Sequence, residues 1–258
     1  MNNFFAATAT AELIEKRSNW NVYSWLLSEF ELANTQTAFY LMLIGVILCI
    51  IIPYLIASIN PAIIFSKMVY HDDIRTHGSG NAGTTNMLRT YGKKMAVVIL
   101  LLDFLKAVIG VMIGSLLMTR EMGGAIAGVF VILGHTFPIY YKFKGGKGVA
   151  CLAGVMLILS PISFAILLPV FILIVLMTRF VSLGSVMATM LFPVIQFAFY
   201  KQNSWITLAS IVIMLLVVFM HRENIKRLLE GKESKISFGS KEKKADLDSP
   251  DRQNNDKT

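Results

Sequence analysis

The stretch MAVVILLLDFLKAVIGVMIGSLLM, residues 95–118, decides the fold. Asp103 and Lys106 are its only charges. A run of about 18 or more apolar residues implies a helix that spans a bilayer. Working outward, six further candidates share this character: 39–59, 123–141, 148–161, 162–180, 181–200 and 204–220. Of the 258 residues, 55% are apolar and only 16% charged, and the mean hydropathy is +0.62. A soluble protein of this size rarely reaches that value. Residues 1–20 lack the basic start, apolar core and small-residue cleavage site of a secretory signal. Cys49 and Cys151 lie in apolar runs and read as packing residues; nothing in the sequence supports a disulfide or a metal site.

Segment 148–161 is short for a crossing of about 20 residues. One long tilted helix over 148–178 would reduce the count to six. Cations decide between the two, because Lys and Arg concentrate on the cytoplasmic side. With seven spans, 19 cations lie inside: five in 60–94, three in 142–147, Arg179, and ten in the tail from 221. Lys16, Arg17, Arg120 and Lys201 lie outside. Six spans would put the 142–147 loop and the tail on opposite faces. The chain therefore reads as all-α, a polytopic membrane protein of about seven transmembrane helices, N-terminus outside and C-terminus cytoplasmic. Residues 1–37 form an extension. It is either unstructured or a surface helix with Tyr23, Leu26, Leu27 and Phe30 on one face. Residues 38–233 form the membrane domain. Residues 234–258 are charged, with little to bury, and are expected to be disordered.

Lys106 is the one cation inside a span. Asp103 stands at i−3 on the same helix face. Charges in hydrocarbon face a partner or a polar cavity. The pair is either a structural ion pair or a means of aiming an ammonium at an anion.

Three polar motifs fall on the expected inner side. The first, GSGNAGTTNMLRTYGKK (78–94), has four glycines, many side-chain donors and no carboxylate. Its glycines allow backbone N–H groups to converge as an anion nest. Ser79, Asn81, Thr84, Thr85 and Asn86 add donors, and Arg89 adds a planar fork suited to phosphate. It is not a nucleotide P-loop, because Thr84 stands where lysine is required. The second, GHTFPIYYKFKGGKGVA (134–150), sets His135 before Lys142, Lys144 and Lys147. Gly145, Gly146 and Gly148 precede a helix start that would favour an anion. The third, HRENIKRLLEGKE (221–233), puts His221 and Asn224 on one helical face, with Arg222, Lys226 and Arg227 positioned for lipid head groups.

These motifs resemble those of the bacterial acyl-phosphate:glycerol-3-phosphate acyltransferases, the PlsY family. The family's S-G-N-P-G-[AT]-T-N-x-x-R is similar to SGNAGTTNMLR (79–89), with Ala82 in place of the usual proline. Its G-H-x-F-P and K-G-G-K-G are similar to 134–138 and 144–148, and its H-R-x-N-I-x-R-L-L-x-G-x-E to 221–233. Asp103 and Lys106 fit a D-x-x-K pattern of the family. The resemblance covers roughly 40–233. It implies transfer of a fatty acyl group from acyl-phosphate to the 1-hydroxyl of glycerol 3-phosphate, giving lysophosphatidic acid and phosphate. It also implies a bacterial plasma (inner) membrane location, an active site on the cytoplasmic face, and no cofactor, metal, nucleic acid or obligatory protein partner.

With the chemistry, the resemblance implies a catalytic set of Ser79, Arg89, His221 and Asn224. Gly80, Asn81, Gly83, Thr85, Asn86, Lys106, Gly145, Gly146 and Lys147 would bind substrate. Asp103, His135 and Glu233 would support them. The general base is either His221 or a substrate phosphate. Among rivals, an acyl-CoA acyltransferase with Asp five residues after a catalytic His fails, since none of His71, His77, His135 and His221 has Asp at that position. A CDP-alcohol phosphotransferase needs several aspartates around a metal, and only Asp103 lies in a span. An organophosphate transporter would favour a midplane site between repeats.

Overall fold

The computed structural model describes residues 21–29, 35–200 and 203–236. Among them all regular structure is helical. The long elements are α1 (Val22–Glu29), α2 (Thr35–Ser58), α3 (Pro61–Tyr70), α4 (Thr84–Tyr91), α5 (Lys93–Leu117) and α6 (Met122–Thr136). They continue with α7 (Val149–Leu159), α8 (Pro161–Thr178), α9 (Val181–Phe199), α10 (Ser204–Met220) and α11 (Arg222–Leu229). Most of the 1–37 extension, Phe30 included, and the tail from 237 lie outside the described residues. On α1, Tyr23, Leu26 and Leu27 are half-buried while Ser24, Trp25 and Ser28 are exposed.

Among the described residues an apolar helix occupies each of the seven expected segments, but not all of them are long enough to be spans. Five are long and apolar enough to cross a membrane, counting α2 and α3 together as Gln36–Tyr70. A sixth arises if α10 and α11, bent by 58°, are taken as one. The eleven residues of α7 rise only about 16 Å, too little for a crossing. Nor do α7 and α8 form one long helix. The chain breaks at Ser160, whose Oγ lies 2.6 Å from Ser163 Oγ, and restarts with Pro161 at the first helical position.

Helices α2–α3 and α5 run side by side in opposite directions. Gly45 packs against Met118, Gly110 against Pro53, and Lys106 Nζ reaches the Ile59 carbonyl at 2.7 Å. Close approach depends on small residues, as is common between membrane helices. A Cβ on Gly114 of α5 would stand 2.6 Å from the Gly123 carbonyl oxygen of α6, and one on Gly154 of α7 would stand 2.7 Å from that of Phe104. The main core then joins α5, α6, α7, α9 and α10 through Val111, Ile132, Val155, Phe192 and Ile213.

This alignment fixes depth within the bundle. Lys106 lies about 20 Å along α5 from Lys93, so Ile59 and Asn60 are also deep. The first motif loop folds back to that level. Ala82 is fully buried with Ile63, Ile74 and Ile99, and its carbonyl accepts from Asn60 Nδ2 at 3.3 Å. Helix α4 climbs from there to a turn at Gly92 (φ 86°) and α5 descends beside it. Non-helical backbone at such depth is tolerated where protein buries it or where it lines a cavity. The short α7 has the same origin: the loop before it also dips inward.

Candidate active site

The first loop is organised mainly by Asn86, which is 1% exposed. Its Nδ2 donates to the carbonyls of Ile74 (3.1 Å) and His77 (2.9 Å), and its Oδ1 accepts from Ser79 N at 3.0 Å. A side chain at Gly78 (φ 55°) would collide with that Oδ1, so glycine is required there. Beside the loop, Arg75 forks onto Asp73 (Nε–Oδ1 2.9 Å, Nη2–Oδ2 2.7 Å). Its Nη1 donates to the Tyr141 carbonyl of the second motif at 3.0 Å. The Arg75 hydrogen bond holds the Asp73 carboxyl at about 2.

The second loop is built onto His135. Gly145 N donates to the Thr136 carbonyl (3.2 Å) and Gly146 N to that of His135 (3.1 Å). A Cβ on Gly145 would strike the His135 carbonyl, and one on Gly146 would strike its ring nitrogen Nε2. Ala82 N donates to the Gly145 carbonyl at 3.4 Å, which joins the two loops. Lys142 and Lys144 are exposed and stand apart from the cavity; only Lys147 lines it.

The third motif turns at the end of α10. His221 is 3% exposed, and its Nδ1 lies 2.8 Å from the Val217 carbonyl. A carbonyl only accepts, so Nδ1 carries the proton and the neutral ring leaves Nε2 as an acceptor. Asn224 Nδ2 donates to Glu233 Oε1 at 2.7 Å, and its Oδ1 accepts from Lys147 Nζ. Glu233 also accepts from Ser182 Oγ (2.8 Å) and Arg227 Nε (2.8 Å). Burial would raise its pKa, but the hydrogen bonds from Asn224, Ser182 and Arg227 outweigh that and lower it. Burial, reinforced by Arg227 and Arg89, pulls the Lys147 ammonium down to about 8.

These pieces surround one cavity of about 390 Å³. At its polar end lie Ser79, Asn81, Thr85, Arg89, Lys147, His221, Asn224 and Glu233. Helices α4, α7 and α9 all begin there, at Thr84, Val149 and Val181, and none has a side-chain cap. Their exposed N–H groups and dipoles suit anions. Thr84 Oγ1 is buried among them without a hydrogen-bond partner. The other limb is apolar and runs between α7 on one side and α8 and α9 on the other, past Met156, Phe164, Leu167 and Phe171.

The expected residues therefore divide. Ser79, Asn81, Gly83, Thr85, Asn86, Arg89, Asp103, His135, Lys147, His221, Asn224 and Glu233 line the cavity. Gly80 (φ 70°), Gly145 and Gly146 shape the loops behind it. Lys106 also stands behind. Its ammonium is 2.8 Å from Asp103 Oδ1 and 2.7 Å from the Ile59 carbonyl, while His135 Nδ1 is 3.3 Å from the same Asp103 oxygen. Asp103, His135 and Cys151 gather their potential ligand atoms within 4.8 Å. The Lys106 ammonium already sits against that carboxylate, so the donor set does not suit a cation. Arg89 is engaged as well, with Nη2 donating to the Ser234 carbonyl at 3.2 Å.

Two contributors carry no role in the sequence motifs. Asn60 caps α3 by accepting from Ile63 N at 3.1 Å, and the Asn-Pro start is a readable signal. Ser182 carries no sequence signal, because only the fold brings it to Glu233.

A family model described as glycerol-3-phosphate acyltransferase matches residues 47–231. The chain belongs to that family. The glycerol-3-phosphate acyltransferase of Thermoanaerobacter sp. (strain X514) is 44% identical over 190 residues, 74% of this chain and 95% of that protein. The one from Bacillus subtilis (strain 168) is 40% identical over 191 residues, 74% of this chain and 97% of that protein. Among solved structures, PlsY, an integral membrane glycerol 3-phosphate acyltransferase in its glycerol 3-phosphate form, superposes with a TM-score of 0.70. It shares 35% identity and is covered over 74% of this chain and 96% of that one. Its lysophosphatidic acid form gives a TM-score of 0.67 at 34% identity. The acyltransferase family model covers the first two motifs and reaches into the third, ending two residues before Glu233.

Proposed function

We propose that this acyltransferase moves a fatty acyl group from acyl-phosphate to the 1-hydroxyl of glycerol 3-phosphate at the cytoplasmic face of a bacterial plasma membrane. The observation that carries the reading is the cavity in which three uncapped helix starts and two cations, Arg89 and Lys147, meet a long apolar limb. Both substrates carry phosphate, and one carries a chain. Relatives named for glycerol 3-phosphate, and a neighbour solved with glycerol 3-phosphate and with lysophosphatidic acid, support the acceptor and the product.

In this reading the α4 start, with Ser79 and Thr85, holds the acyl-phosphate. Arg89, Lys147 and Asn224 hold the phosphate of glycerol 3-phosphate, and His221 offers Nε2 as an acceptor beside them. Lys106 acts through Asp103 and His135, which stiffen both loops. The glycerol hydroxyl oxygen attacks the acyl carbonyl carbon, and donors at the helix starts stabilise the oxyanion. The bond to the phosphate oxygen then breaks. The hydroxyl proton goes to His221 Nε2 or to a substrate phosphate. Acyl-phosphate is already an activated anhydride, so neither a protein nucleophile nor coenzyme A is needed. Seven apolar helices with the N-terminus outside accommodate this site, α7 entering from the cavity rather than from the membrane surface. That topology rests on 19 cations against four.

The direct test supplies purified protein and labelled glycerol 3-phosphate with acyl-phosphate, acyl-CoA or free fatty acid in turn. Lysophosphatidic acid is expected with acyl-phosphate alone. Product from acyl-CoA and none from acyl-phosphate would overturn the donor assignment.

A further inference from the structure

The apolar limb has a definite length. On α8 its lining runs through Val175, Phe171, Leu168, Leu167 and Phe164. Val175 belongs to the polar end, since its carbonyl accepts from Arg179 N and the Arg179 carbonyl accepts from Ile236 N beside Glu233. Phe164 lies eleven positions back, about 16 Å along the helix. There its ring meets Phe104 of α5, with centroids 6.4 Å apart and planes tilted by 43°. Just beyond stand Pro161 and the buried Ser160–Ser163 pair that end the helix. The limb also has a side. Leu100 of α5 and Leu168 of α8 both line the cavity, yet are 43% and 38% exposed. They form the lips of a slot between the two helices that faces lipid.

We propose that Phe164, backed by Phe104, is the end wall of this slot and sets the longest acyl chain the enzyme uses efficiently. The inference rests on the acyl-transfer reading above. An extended alkyl chain advances about 1.25 Å per carbon, from a bond of ~1.52 Å and an angle of ~111°. A slot of about 16 Å therefore holds roughly 13 carbons beyond the polar end. A longer chain must push against the Phe164 ring or turn out past Leu100 and Leu168. A phenyl ring occupies about 5 Å of that path, equivalent to roughly four carbons.

The test measures kcat/KM across a series of saturated acyl-phosphates for the whole protein and for Phe164→Ala, Phe164→Leu and Phe164→Trp. Phe197→Ala, on the exposed face of α9, is the control. Removing the ring is expected to move the upper limit to chains about four carbons longer, and tryptophan to move it to shorter ones, with Phe197→Ala unchanged. Opposite shifts from smaller and larger side chains cannot come from general loss of fold. If Phe164→Ala does not fold, the leucine and tryptophan variants carry the same comparison. Superimposable profiles for all variants would overturn the proposal and show that the chain leaves sideways into lipid. If the protein uses acyl-CoA instead of acyl-phosphate, the donor reading fails, and the same series run with acyl-CoA still decides the role of Phe164.

Discussion

At Lys147 one proton links the site to pH. Burial depresses its ammonium to about 8, and a bound phosphate favours the charged form. As pH rises through 8 the free protein loses that charge and must regain it to bind. KM for glycerol 3-phosphate should be level below about pH 8 and rise by up to ~10-fold per unit above it. In Lys147→Arg the guanidinium stays charged and the rise should disappear. A level wild-type profile to about pH 9.5 would place Lys147 outside the phosphate site. The Asp103–Lys106 pair calls for a different measurement. Asp103→Ala strands a buried ammonium and should cost about 3–5 kcal/mol of stability. Asp103→Leu with Lys106→Met removes both charges and should recover most of it. If activity returns with stability, the pair is purely structural; if it does not, the charge itself serves the reaction. In the first loop, Ser79→Ala and Arg89→Ala should each lower kcat/KM by at least ~10-fold, while Lys93→Ala and Lys94→Ala leave it near wild type. Full turnover in the first two would return the loop to a connector.

At the scale of elements, glycines do more than permit turns. Gly146→Ala would drive a methyl group into the His135 ring and separate the second loop from the first. Activity should fall by more than ~10-fold, with loss of thermal stability, and Gly231→Ala, where an added Cβ meets nothing and only the left-handed backbone (φ 68°) is strained, should lose less activity. Equal effects of the two would contradict the packing argument. The sequence made the motif ends of these elements readable, because glycine, asparagine and proline leave local signatures. It also brought His221 and Asn224 together correctly by helical spacing. It could not show that Asn86 holds the loop with all its hydrogen bonds, since asparagine in a donor-rich loop suits ligand and backbone equally. Nor could it reveal the apolar limb. Helix α8 is apolar on every face, so periodicity does not distinguish Phe164, which lines the cavity, from Leu173, which is 57% exposed. The depth of α7 was hidden for a related reason: its length was legible, but the dip of the preceding loop depends on contacts with α6 and with Ala82 of the first loop.

For the whole molecule, the fold places all three motifs at one end, as the distribution of Lys and Arg requires. Orientation follows as a separate prediction. A cysteine at exposed Lys144 should react with an impermeant maleimide only in inside-out vesicles, and one at Glu121 only in intact cells; native Cys49 and Cys151 are buried. The reverse pattern would invert the topology. In the proposed mechanism one cavity binds two phosphates and transfers an acyl group between them. The mechanism is tested most directly by following phosphate release and lysophosphatidic acid formation together, in purified protein given acyl-phosphate and glycerol 3-phosphate without coenzyme A. Equal amounts of the two products, both abolished in the Ser79→Ala, Arg89→Ala double variant, are predicted. Phosphate release without acylated glycerol 3-phosphate, or undiminished activity in the double variant, would contradict the account.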